Sequence, residues 1–198
     1  MNYLELIKGF FLLPVETFRT VKDTDYRDTL VYFLILVLIY TVLSVPIMLV
    51  SLSLMWPVFN GMFGRLGIGT LTGFGIVSIA VVMIIVALVF LFIGAAWLHL
   101  WVYLLGGRKG YRETLKALAF GDTPALLLGW IPLVGFLAGI WSLVLSILGI
   151  RELHGISTAR ALGAVIIAVA IPLLILVLLA LFLFIAYTET GPLPVTGF

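Results

Sequence analysis

Ten of the eleven Lys and Arg residues in this chain fall in three short segments that alternate with long uncharged apolar runs. Lys8, Arg19, Lys22 and Arg27 precede the first run. Arg108, Lys109, Arg112 and Lys116 lie between the second and third, and Arg151 and Arg160 between the fourth and fifth. The other connections and the C-terminal tail hold only Arg65. Cytoplasmic loops retain positive charge, so the pattern specifies a span count and an orientation. It predicts an all-α polytopic integral membrane protein with five transmembrane helices, the N-terminus cytoplasmic and the C-terminus outside.

Composition agrees. The 198 residues are 64% hydrophobic and 10% charged, with a mean hydropathy of +1.32, whereas a soluble domain carries about a quarter charged residues. In lipid the backbone must satisfy its own hydrogen bonds, and long apolar runs do this as helices. With no cysteine, disulfides, thiol catalysis and thiolate metal sites are excluded.

Residues 1–28 form a cytoplasmic segment. Leu4, Ile7, Phe10 and Phe11 share one helical face and Pro14 restarts the helix. This amphipathic interfacial helix is expected to lie flat among the headgroups. The five-helix domain covers residues 29–187, with spans at about 29–55, 74–105, 114–130, 132–150 and 161–186. A glycine-rich connection at 56–73 and a tail at 188–198 are expected outside. Near the cytoplasmic end of the second span, Trp97, His99, Trp101 and Tyr103 suit an aromatic belt. Only a short stretch separates Arg112 from Arg151, enough for two short crossings joined at Gly129-Trp130-Ile131-Pro132. One kinked span in their place would put Arg151 and Arg160 outside, against the charge rule. A re-entrant hairpin preserves the orientation and stays open.

Asp122 is the ionisable residue set deepest in a predicted span, where a carboxylate costs about 2.5–3.5 kcal/mol. Gly121 and Pro124 mark a helix break around it, and Pro132 a second. The favoured reading makes Asp122 a helix cap ahead of Thr123 and Pro124; the other makes it a proton or cation site with His99 as relay partner. His154, in the Arg-Glu-Leu-His-Gly segment, reads as solvated or bonded to backbone. Two histidines without partners at ligand spacing give no metal site, and no cofactor is expected. Gly135 and Gly139 form a GxxxG pattern suited to close packing of helices. Ala119-Phe120-Gly121-Asp122 lacks the first glycine of an intramembrane aspartyl protease motif and has no second aspartate. Non-enzymatic function is therefore expected.

Several short motifs, in order, resemble the Yip family (Ypt-interacting proteins), in its prokaryotic branch. They are Leu13-Pro14-Val15-Glu16-Thr17-Phe18, Gly106-Gly107 with Tyr111-Arg112-Glu113-Thr114, and Ala119-Phe120-Gly121-Asp122-Thr123-Pro124. Gly129-Trp130-Ile131-Pro132 and Arg151-Glu152-Leu153-His154-Gly155-Ile156-Ser157-Thr158 complete the set. The resemblance implies a multi-spanning protein without catalytic activity, in a prokaryotic plasma membrane. Eukaryotic relatives bind Rab-type GTPases, but the Asp-Leu-x-Gly-Pro element is missing here, so GTPase binding is not carried over.

The leading expectation is a membrane-organising or partner-recruiting scaffold with a basic cytoplasmic face. That face comprises Lys8, Phe18, Arg19, Lys22, Arg108, Lys109, Arg112, Lys116, Arg151 and His154, and its partners are anionic lipid headgroups, a membrane protein or a second copy. Nothing in the chain provides for nucleic acid. The competing expectation is a small transporter or channel built on Asp122.

Overall fold

The structure, a computed structural model, describes residues 2–63 and 73–189. Much of the expected outer connection, with Arg65, and most of the tail lie outside the described residues. The described chain forms eight helices: α1 (Tyr3–Leu12), α2 (Pro14–Thr20), α3 (Tyr26–Phe63), α4 (Gly73–Leu104), α5 (Tyr111–Gly121), α6 (Thr123–Leu128), α7 (Val134–His154) and α8 (Thr158–Glu189). Four helices among the described residues are long and apolar enough to cross a membrane: α3, α4, α7 and α8. The expected third span is split into α5 and α6, each too short to cross alone.

The helices are packed at one end and bare at the other. The packed end, here called the head, contains α1, α2, α5, α6, most of α7 and the adjoining halves of α3, α4 and α8. Four fully buried aromatic rings hold it. Phe10 meets Phe18 edge-on at 4.9 Å between centroids and stacks on Phe120 at 5.7 Å, while Tyr32 lies 5.0 Å from Phe120. Tilted and edge-on pairs suit the ring quadrupoles. Two of the four rings come from the N-terminal segment, so part of the apolar face of α1 and α2 meets protein, while Leu4, Phe11 and Leu12 stay exposed. The buried part is Leu6, Phe10 and Phe18. Pro14 opens α2 at its first turn, and Gly9 leaves room for Thr17 as α2 follows α1.

Close approach depends on two glycines that are not in the GxxxG pattern. A methyl group at Gly149 would fall 2.7 Å from Phe18 Cε1 and 3.1 Å from Ala117 Cβ, and one at Gly121 would fall 2.9 Å from Ser146 Oγ. Gly139 opens onto empty space and Gly135 faces the backbone of its own turn at Gly129, so the expected packing pair joins no second helix. Any all-apolar helix carries such small residues on several sides, and the sequence does not say which side meets protein.

Beyond the head, α3, α4 and α8 continue alone. Nearly every side chain from Pro172 to Thr188 is exposed, an apolar surface with no protein cover. Pro172 marks the change. It has no N–H to give the carbonyl of Ala168 one turn earlier, and Trp97 Nε1–H of α4 donates to that oxygen at 2.8 Å. Trp97→Phe is therefore expected to cost about 1–3 kcal/mol by leaving a buried carbonyl unpaired. In Pro172→Ala, where a backbone N–H returns, most of that cost should vanish. Thermal unfolding of the four proteins in detergent reads the cycle, and an undiminished cost in the Pro172→Ala background contradicts it.

Candidate functional site

The three charged segments, far apart in sequence, meet at the end of the head. Glu152, near the end of α7, accepts from Arg19 Nε of α2 at 3.0 Å and from Arg151 Nη2 at 2.6 Å. Arg151 Nη1 reaches Thr158 Oγ1 at the start of α8 at 3.4 Å. Arg160 extends over Gly106, and Lys109 over Gly155. One carboxylate that the sequence reading passed over thus joins α2, α7 and α8. Arg108 stacks on Tyr103 at 4.0 Å and Arg112 lies 5.8 Å from the Tyr26 ring, distances at which a cation is attracted by the ring face.

Not every residue expected on the basic face is on the surface. Lys8, Arg19, Lys22, Arg108, Lys109 and Arg112 are exposed and Arg151 is half-buried. Lys116, Phe18 and His154 are buried. Lys116 Nζ donates to Lys22 O at 2.6 Å and pairs with Glu113 Oε1 at 2.9 Å. Its ammonium finds a carbonyl and a carboxylate inside the protein, so it ties the turn after α2 to α5 and is not available to lipid. Phe18 is held in the aromatic core.

The N-terminal cations also have acidic company. Glu5, Glu16, Asp23, Asp25 and Asp28 line an open groove of about 680 Å³ between α1, α2 and the start of α3. None of the five pairs with a described basic residue. The basic surface with least acidic company is therefore Arg108 and Lys109 with Arg160, whereas Arg112 shares a small pocket with Asp23 and Asp25.

His154 is not solvated. Gly155, in the left-handed conformation at φ +68°, ends α7 and keeps His154 within the last turn. Its Nε2 lies 2.9 Å from Thr114 Oγ1, which is also 2.8 Å from His99 Nδ1. The Thr114 hydroxyl has one proton, so it donates to one ring and accepts from the other, and the two imidazole tautomers are linked through it. The buried His154 Nδ1 has no partner among the described residues. His99 thus bonds Thr114, is linked through it to His154, and makes no hydrogen bond to Asp122. No group of three metal-ligating side chains occurs among the described residues.

Around Asp122 the expected cap is replaced. Asp122 has helical backbone angles and its side chain caps nothing. Instead Ala125 N–H of α6 donates to Ser142 Oγ of α7 at 3.1 Å. Pro124 leaves the Phe120 carbonyl without its helical partner, and Thr123 Oγ1 donates to that carbonyl at 2.6 Å. Tyr32 O–H then donates to Thr123 Oγ1 at 2.9 Å. The break at Gly121 and Pro124 is satisfied by Thr123, Tyr32 and Ser142, and the Asp122 carboxylate has no hydrogen-bonding or ionic partner among the described residues.

A helical bundle with apolar helices long enough to cross a bilayer and a charged, polar-tied head at one end defines a polytopic membrane protein. The Yip1 domain family matches residues 8–186, and the chain belongs to that family. No curated protein and no solved structure matches it.

Substitutions at three positions, read by thermal unfolding in detergent, test these bonds. Thr114→Val should cost about 1–3 kcal/mol by leaving two imidazole nitrogens unpaired, while Thr114→Ser should keep most of the stability. Ser142→Ala should cost about 1 kcal/mol through the freed Ala125 N–H. Asp122→Ala and Asp122→Asn should cost nothing, and a loss in Asp122→Ala alone would restore the cap.

Proposed function

We propose that this Yip1-family protein is a non-enzymatic membrane organiser whose charged end faces the cytoplasm and holds anionic lipid headgroups or a membrane-protein partner. The supporting observation is the gathering of Arg108, Lys109, Arg112 and Arg160, all exposed, at one end of the head. Each basic group near an anionic surface contributes about 1 kcal/mol. The head is broad and the far end is three single helices, a shape that takes more room in one leaflet than in the other. In this reading the host is a prokaryotic plasma membrane, as the motif resemblance implies. The transporter reading required a polar group facing Asp122, and His99, the leading candidate, is bonded to Thr114 instead.

The test compares wild type with a variant carrying Arg108→Gln, Lys109→Gln, Arg112→Gln and Arg160→Gln in vesicles of mixed zwitterionic and anionic lipid. Enrichment of anionic lipid around the wild type should weaken as salt is raised and should be largely lost in the variant. A wild type with no preference at low salt would leave these cations only the task of setting topology.

A further inference from the structure

The turn between α6 and α7 is apolar throughout. No charged residue occurs from Thr123 to Ile150. Leu133 is 86% exposed, Phe136 73% and Leu137 65%. Several backbone groups of the turn bond within it. Ile131 N–H donates to Leu128 O at 3.1 Å, Val134 N–H to Pro132 O at 2.8 Å and Gly135 N–H to Ile131 O at 2.7 Å. Trp130 Nε1–H donates to Leu127 O at 2.8 Å. Leu133, a non-glycine residue at φ +67°, is the centre of the tight three-residue turn closed by Val134 N–H. Such a turn is strained, and here it directs an aliphatic side chain away from the protein. Amide and indole donors turned inward beside an exposed leucine and phenylalanine suit hydrocarbon, where each internal bond counts, better than water.

Its depth follows from the bare helices. On α8 the exposed apolar surface extends to Tyr187, just before Thr188 and Glu189. A 30 Å hydrocarbon layer holds about 20 helical residues. Counted back from Tyr187, the opposite boundary falls near Ile167. Trp97 of α4 bonds the neighbouring Ala168 and so lies at that boundary, and on α3, where Phe33 and Val37 pack with Leu91 and Ala95, the same level falls near Phe33. At the hairpin, Gly129 lies against the Tyr40 ring, seven residues past Phe33 and so about 10 Å inside that boundary. Asp122 adjoins Thr123, which bonds Tyr32 on the outer side of the same boundary. On α1 the exposed Glu5 and Lys8 are at a similar level, since Tyr3 lies 5.8 Å from Tyr32 between ring centroids.

We infer that the α6–α7 turn is a re-entrant wedge that sits among the acyl chains of the leaflet on the charged side and returns to the same side. The chain then crosses the bilayer three times, through α3, α4 and α8. Asp122 lies at headgroup depth, which accounts for an unpaired carboxylate in an otherwise apolar segment. The depth argument uses none of the basic residues of the proposed lipid-holding face, so either can fail alone.

The chain has no native cysteine, so single cysteines report position without background. Lys8→Cys, Asp122→Cys, Leu133→Cys and Thr188→Cys would be treated in sealed vesicles with a membrane-impermeant maleimide from each side. Asp122→Cys should label from the same side as Lys8→Cys, and Thr188→Cys from the opposite side. Leu133→Cys should resist the impermeant reagent from both sides and react with a lipid-soluble one. Labelling of Leu133→Cys from the Thr188 side means two full crossings and overturns the proposal, as does protection of Asp122→Cys from both sides. Because Leu133 sits in a strained turn, a spin label on Val134→Cys provides a second depth reading. More contact with dissolved oxygen than with an aqueous relaxation agent supports the wedge, and the reverse overturns it.

Discussion

Three carbonyls that proline deprives of a helical partner find donors elsewhere, and these bonds organise the head of this protein. Pro14 frees Phe10 O, which takes Trp141 Nε1–H at 3.4 Å. Pro124 frees Phe120 O, which takes the Thr123 hydroxyl, itself held by Tyr32. Pro172 frees Ala168 O, which takes Trp97 Nε1–H. Where water is scarce an unpaired carbonyl costs several kcal/mol, so each proline makes its donor necessary. The donors lie on other helices or, for Thr123, are fixed by one. These bonds attach the N-terminal segment to α7, the broken α5–α6 pair to α3, and α8 to α4. They map the boundary of the packed head.

Within that boundary the buried polar groups have a shared character. Thr114 joins two imidazoles, Lys116 takes a backbone carbonyl and a carboxylate, and Glu152 takes two guanidinium groups. Apolar contact alone gives little directional preference between helices that are equally comfortable against lipid. Hydrogen bonds of fixed geometry give direction, and the head has them while the bare halves do not. The charged end is therefore a defined surface on a rigid base, and the lipid-facing halves of α3, α4 and α8 carry no comparable instruction.

The sequence made much of this legible. The apolar runs gave the long helices, the positions of Lys and Arg foresaw their meeting at one end, and Gly121 with Pro124 marked the broken helix. It failed where burial against protein and exposure to lipid select the same residue types. Leu6, Phe10 and Phe18 look alike whether they face headgroups or Phe120. Gly149 looks like any small residue in an apolar run, and only the crossing of α2 shows why it is glycine. His154 and Lys116 misled for another reason. Each stands among charged neighbours in the sequence, and their inward direction depends on a helix cap at Gly155 and a carbonyl at Lys22, which come from the tertiary fold. Asp122 was read as a cap because its neighbours spell a helix start, yet the start is served by Ser142, some twenty residues later in the chain.

Burial of Phe10 and Phe18 against Phe120, Trp141 and Gly149 also has a consequence for the order of assembly. These helices are made before α7 and cannot reach their final places until it exists. At about 5–20 residues per second of synthesis, the N-terminal helices wait on the order of ten seconds with their aromatic rings unsheltered. The charged, amphipathic character of residues 2–25 suits that interval, since such a segment can rest on the membrane surface before it docks. Assembly of the head is thus a closing event, in which helices made before α7 are packed only after it.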